Sequence, residues 1–283
     1  MQTNGFILRE NQRIPYYSCR IFESLPWLRH GFSTRRGGTD DGTLNLGFTT
    51  WDIPERVNEN RRRLLSALEL EKAVPVYLEQ IHSNHVYTVE PISSIHKPSL
   101  PLHVLPSSDQ TVNRKLYEGD ALVTNIQNVA LTIKTADCFS VLIVDPVHRA
   151  IGAVHSGWRG TLGRVLPHAI EEMTRRFQSD AAQLQLALGP GIRECCFEVK
   201  EDVARLITEA YPEKSTARPS APGKYLVDLA AVLKIQMTQS GVPLENQHDL
   251  EMCTCCNNRE FFSWRADGAT AGRMMTVIAI VPD

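Results

Sequence analysis

No apolar run of about 18 residues, the length a membrane-spanning helix needs, occurs in this 283-residue chain. Nor does one sign of charge dominate: 32 acidic against 30 basic residues give a net charge near −2, with no basic tail. The electrostatic footprint of a nucleic-acid or membrane-surface protein is therefore missing. The opening residues, MQTNGFILRENQR, lack the apolar centre of a secretory leader, so a soluble, cytoplasmic protein is expected. Seven cysteines make an odd count, and in a reducing compartment they read as thiols, ligands or nucleophiles rather than a disulfide framework. No internal repeat and no linker interrupts the chain, and the spacing of a Walker phosphate loop is absent.

What is present suits an ordinary globular protein, with 42% hydrophobic and 22% charged residues. Strands are predicted in the first 50 residues and at 74–79, 86–90, 121–124, 129–135, 184–188 and 275–281. Helical patterns cover 54–70, 163–177, 201–211 and 229–240, with Pro167 in the first turn of the second helix or kinking it. Residues 91–115 read as a long surface loop or insertion, 212–224 as a polar loop, and Arg61, Arg62 and Arg63 as a solvated helix face. Strands and helices alternate irregularly. The expectation is a single α/β domain over 1–283, with mixed β-sheets packed together and flanked by helices.

Chemistry concentrates in TADCFSVLIVDPVHRAIGAVHSGWRGT, residues 135–161. Two apolar runs, 140–145 and 150–155, flank a proline-containing turn and predict a hairpin. A turn centred between Pro146 and Val147 sets Cys138 directly opposite His155 on one face. HSGWRGT then enters a helix, where backbone N–H groups and Arg159 form a plausible anion cradle. A Cys–His pair admits two chemistries. His155 can deprotonate Cys138 for nucleophilic attack on an acyl carbon. Alternatively, both can hold a metal with a third ligand from QIHSNH, where His82 is preferred and His85 competes. The residues alone leave that choice open.

Read in order, FSTRRGG, LNLG, ENRRRL, QIH, GDALVT, TADC, HSGWRGT, LGPGI, CFEV, VDLA, CT and FFSWRADGATAGR run almost from end to end. On these motifs the chain resembles the multicopper-polyphenol-oxidase-like proteins, also called the laccase-domain or peptidoglycan-editing-factor family and regarded as purine nucleoside phosphorylases. The resemblance implies zinc, with copper less favoured, held by His82, Cys138 and His155 as the catalytic centre. It also implies phosphorolysis of adenosine, inosine, guanosine or methylthioadenosine, with adenosine deamination as a side activity. Arg35 or Arg159 is expected to hold phosphate, and Asn45 and Asp120 to touch substrate. The partners would be purine nucleosides and phosphate, with no nucleic acid or membrane, and the chain a monomer or weak homodimer. Departures are Ser156 for a usual Ala, Arg265-Ala266 for Arg-Arg, and Phe139-Ser140 for an aliphatic-Pro pair.

Three rival readings remain. A metal-free Cys138–His155 amidase would act in cell-wall editing. A copper polyphenol oxidase is weaker, because the H-x-H pairs of a trinuclear cluster are missing. A non-enzymatic nucleotide-sensing or complex-forming zinc module would need a fourth protein ligand, for which CTCC (253–256) holds the nearest spare thiols. Otherwise CTCC reads as two buried cysteines and one incidental, Cys195-Cys196 as core or turn packing, and Cys19 as incidental. Any deamination uses a frame other than the H-x-E…P-C-x-x-C signature, which is absent.

Overall fold

The structure, a computed structural model, describes residues 5–90, 117–212 and 216–283. The 91–115 insertion lies outside the described residues. From the N-terminus, β1 (Phe6–Asn11), β2 (Ile14–Cys19) and β3 (Leu28–Ser33) precede helix α1 (Pro54–Ala67). Short strands β4 (Val74–Val76) and β5 (Val86–Thr88) lead on to β6 (Ala121–Thr124), β7 (Val129–Thr135), β8 (Phe139–Asp145) and β9 (Ala150–Ser156). Then come α2 (Trp158–Leu162), α3 (Val165–Phe177), β10 (Gln185–Leu188), β11 (Glu198–Lys200) and α4 (Glu201–Ala210). The chain continues through β12 (Ala217–Ala221), β13 (Lys224–Val227), α5 (Leu229–Gln239), β14 (Gln247–Asp249), α6 (Trp264–Asp267) and β15 (Met274–Ile280).

Two six-stranded mixed sheets result, ordered β1-β2-β3-β15-β7-β4 and β14-β10-β8-β9-β6-β5, with a small third sheet β11-β13-β12. Leu142, Val144, Ile151 and Ala153 of the second sheet pack against Phe32, Leu131, Ile133 and Ile278 of the first. Their neighbours Val141, Ile143 and Val154 face the opposite way, onto Val165, Ile170 and Met173 of α3 and Leu233 of α5. The far side of the first sheet is covered by Leu64 and Ala67 of α1. The order of layers is therefore helix, sheet, sheet, helices. Both central sheets are buried on two faces, which is why β8 is apolar without alternation.

Three expectations need correction. The hairpin register is shifted: Asp145 pairs with Ala150 and Ser140 with His155, so the turn spans four residues rather than two. Asp145 causes this, because its carboxylate accepts the Val147 and His148 amides at 2.9 and 3.0 Å and closes the wider turn. A two-residue shift keeps every side chain on its face, so Cys138 and His155 still share one side. Residues 212–224 are not simply a loop, since they contain β12, which pairs with β13. Arg61 is not solvated: it is 5% exposed, donates from Nε to the Leu46 carbonyl at 2.9 Å, and lies over the rings of Phe48 and Tyr77. Pro167 sits in the first turn of α3, where its missing N–H breaks no helical bond. Among the described residues, no helix is long and apolar enough to cross a membrane.

Candidate metal centre

Three segments converge at one end of β8 and β9. Gln80 fixes the first, donating to the Lys134 carbonyl at 2.8 Å and accepting the Lys134 amide at 2.9 Å, which ties QIH to β7. His82 then adopts a left-handed φ of 60°, and Asp120 holds that turn by accepting the His82 amide at 3.1 Å and the Ser83 hydroxyl at 2.6 Å. Asp137, also left-handed at φ 94°, turns the chain between β7 and β8 and delivers Cys138 just ahead of β8. His155 sits near the end of β9, on the face that Ile151 and Ala153 turn to the other sheet.

The ligand atoms of His82, Cys138 and His155 all lie within 4.8 Å of one another, with Cys138 Sγ 3.7 Å from His82 Nε2. Zinc bonds of about 2.0–2.1 Å to nitrogen and about 2.3 Å to sulfur place tetrahedral N and S neighbours at about this separation. His155 Nδ1–H donates to Asp120 at 2.7 Å, which turns the other ring nitrogen, Nε2, toward the thiol as a ligand. Gly157 leaves the space: a Cβ there would stand 2.9 Å from Cys138 Sγ and 2.9 Å from His82 Cδ2. Two imidazoles and a thiolate, with no fourth protein donor among the described residues, can hold a metal ion with one position left open. His85 does not join them, its ring lying 3.4 Å from the Glu118 carbonyl.

Electrostatics favour the charged thiolate. Burial opposes it, but the charge of His155 and hydrogen bonds from His155 and His82 bring the Cys138 thiol down to about 6. Burial likewise disfavours a charged His155, yet the Cys138 thiolate and Asp120 raise it to about 9. Each shift favours the charged form of its group, a thiolate beside an imidazolium.

All three residues line a cavity of about 760 Å³. Its cations are Lys134, Arg265 and Arg273, and its aromatic lining is Phe48, Phe197 and Trp264. Burial, then the charges of Arg61 and Arg273, bring Lys134 down to about 8. Among the described residues no carboxylate lies at ion-pair distance from it.

The other expected contacts stand elsewhere. Arg35 is absent from the lining, since its guanidinium donates to the Asn258 carbonyl and Asp267 and covers Phe262. Arg159 is exposed and lies 4.2 Å over the Trp158 ring, also outside the lining. Asn45 is buried and holds the loop at 45–49, donating to Gly47 and Asp52 and accepting the Arg273 amide. Asp120 is fully buried behind the two histidines rather than facing the cavity. Sequence reasoning missed Lys134 and Arg273, although each adjoins or ends a quoted motif, KTADC and ATAGR. Nothing in their spacing marked them, because only the fold brings strand and tail together.

The CTCC thiols do not complete this centre: Cys253 and Cys256 group with Cys195 and Cys196 instead. No second histidine group appears among the described residues, so the donors of a trinuclear copper cluster are not assembled there.

Comparison with known proteins agrees with this architecture. YlmD from Geobacillus stearothermophilus, named a purine nucleoside phosphorylase, is 30% identical over 253 residues and 88% of each chain. A purine nucleoside phosphorylase of Deinococcus radiodurans is 33% identical over 267 residues, covering 90% of this chain and 93% of its own. Adenosine deaminase RL5, from an unknown prokaryotic organism, is 32% identical over 254 residues, 87% of this chain and 92% of its own. The crystal structure of the Geobacillus YlmD matches with a TM-score of 0.83 at 28% identity, covering 99% of this chain and 100% of that one. The family described as multi-copper polyphenol oxidoreductase laccase matches residues 29–281, and the chain belongs to that family.

Proposed function

We propose that this chain is a zinc-dependent purine nucleoside phosphorylase, acting as one domain. The observation that carries the reading is a single cavity lined both by the His82, Cys138 and His155 donors and by the cations Lys134, Arg265 and Arg273. At about 760 Å³ it has room for a nucleoside and a phosphate together. The relatives named purine nucleoside phosphorylase support it independently.

Lys134, Arg265 and Arg273, in place of Arg35 or Arg159, hold phosphate as the nucleophile. Phe48, Phe197 and Trp264 supply flat apolar surface for a purine. One phosphate oxygen bonds to the sugar's C1′ as the bond to the purine nitrogen breaks, and that bond's electron pair passes to the base. The three cations screen phosphate charge while the sugar becomes oxocarbenium-like. Zinc, when bound, supplies Lewis-acid stabilisation of charge on the departing base. Asp120 fixes the His155 tautomer and the His82 turn.

The test is chromatography of adenosine incubated with and without phosphate, beside Cys138→Ala and Lys134→Met. Adenine and ribose 1-phosphate should form only with phosphate and disappear in Cys138→Ala. Lys134→Met should raise KM for phosphate by about tenfold or more, the loss of one charge-assisted contact, with a smaller effect on KM for adenosine. Inosine formed without phosphate would instead favour deamination, the activity in the name of one relative. Adenosine left intact by metal-loaded enzyme sinks the reading and returns attention to a Cys138–His155 amidase.

A further inference from the structure

Four cysteines that play no part in that site lie together. The thiols of Cys195, Cys196, Cys253 and Cys256 are all within 4.8 Å of one another. Cys195 and Cys256 sulfurs are 3.4 Å apart, and Cys196 and Cys256 sulfurs 3.3 Å. Disulfide sulfurs stand at about 2.05 Å, and all seven cysteines are free. Tetrahedral Zn–S bonds of about 2.3 Å put sulfurs about 3.8 Å apart, within the spread seen here. This gathering is not ordinary core packing, because Cys253 is buried while Cys195 and Cys256 are exposed. An apolar thiol sheltering from water would not bring two exposed partners into contact with it.

The backbone around Cys253 is arranged as for a metal thiolate. The Arg193 amide donates to its sulfur at 3.5 Å, and amides of Cys255 and Cys256 point at it as well. N–H···S bonds of this kind stabilise a ligating sulfur. Two loops supply the thiols in pairs, one between β10 and β11 and one between β14 and α6. They are already in register: Gly191 bridges Cys253, and the Thr254 amide donates to the Gly191 carbonyl at 3.1 Å.

We propose that Cys195, Cys196, Cys253 and Cys256 form a second, tetrathiolate metal site that takes a structural Zn²⁺. Four thiolates close a tetrahedron and leave no open position, so this site holds the fold rather than doing chemistry. What it holds is one wall of the cavity. The first loop carries Ile192 and Phe197, and the second leads into Trp264 and Arg265, all of which line the cavity. Arg265 donates to the Cys196 carbonyl at 2.5 Å and to the Glu198 carbonyl at 3.0 Å, which joins the two loops again beside the thiols.

Metal content per chain tests this directly. Protein purified under reducing conditions with zinc should carry two ions, one for each donor group. Cys138→Ala should keep one, and Cys195→Ser/Cys256→Ser should also keep one. Cobalt placed in Cys138→Ala should show the intense thiolate charge-transfer and visible bands of a tetrahedral tetrathiolate. That measurement leaves the four cysteines intact, so it holds even where the double variant fails to fold. A metal-free Cys138→Ala protein overturns the proposal. So does a non-reducing mass spectrum with a disulfide among the four thiols of the native protein. Neither result bears on whether the other centre cleaves nucleosides.

Discussion

Asp120 accepts four hydrogen bonds on its two carboxylate oxygens, from the His155 ring, the His82 and Ser83 amides and the Ser83 hydroxyl. Burial alone would raise its carboxyl, but His155 and Ser83 hold it below the usual carboxylate range. It is a positioning residue: it fixes one prospective ligand by its ring and another by its backbone. Asp120→Asn is expected to weaken zinc binding by about 10- to 100-fold, measured by competition with a chromophoric chelator. Unchanged affinity would reduce Asp120 to a loop staple. The sequence marked Asp120 as a possible substrate contact, and the structure places it buried outside the cavity lining, a distinction that a string of residues does not record. The trio was more legible. Pleat parity survives an even register error, so Cys138 and His155 stayed on one face although their true neighbours differ.

At the scale of elements, the passage from β9 to α2 is made by Gly157, whose φ of −82° any residue can adopt. The requirement for glycine there is space, since a methyl group would press on both the Cys138 sulfur and the His82 ring. Gly157→Ala should therefore leave the thermal midpoint of the metal-free protein nearly unchanged while lowering metal occupancy and the proposed phosphorolysis together. A large loss of thermal stability at full zinc occupancy would contradict this. The four longer helices were predicted because each buries apolar residues against a neighbouring layer, as Val57 and Leu64 do in α1, whereas the short α2 and α6 have no such stripe and were not. Arg61 escaped the same logic. Its charge suggested solvent, but the Phe48 and Tyr77 rings and the Leu46 carbonyl are brought around it by contacts distant in sequence. The strand β12 was missed because an exposed, proline-containing run has no apolar alternation to detect.

Across the whole molecule, stability is coupled to pH through His30, a buried residue in β3 that is not part of the cavity lining. Its Nε2 accepts the Cys19 amide at 2.8 Å, a role open only to the neutral ring. Burial, partly offset by the charge of Glu23, lowers it from 6.5 to about 4. Between those values the unfolded chain binds a proton that the folded chain does not, so stability falls as pH drops from about 6.5 to about 4. The loss from this one group should approach about 3 kcal/mol, and denaturant midpoints over that range should flatten in His30→Gln. An identical slope in the variant would refute the assignment. Composition, strand runs and motif order were enough to determine an α/β domain, its family resemblance and a Cys–His centre, because these depend on residues close in sequence or on periodic patterns. Only the tertiary structure decided which cations line the cavity and which arginines are engaged elsewhere. Lys134 and Arg273 stand on different segments of the chain, as do Cys195 and Cys256. The four-layer packing that brings them together is set by burial of whole faces, which no local spacing records.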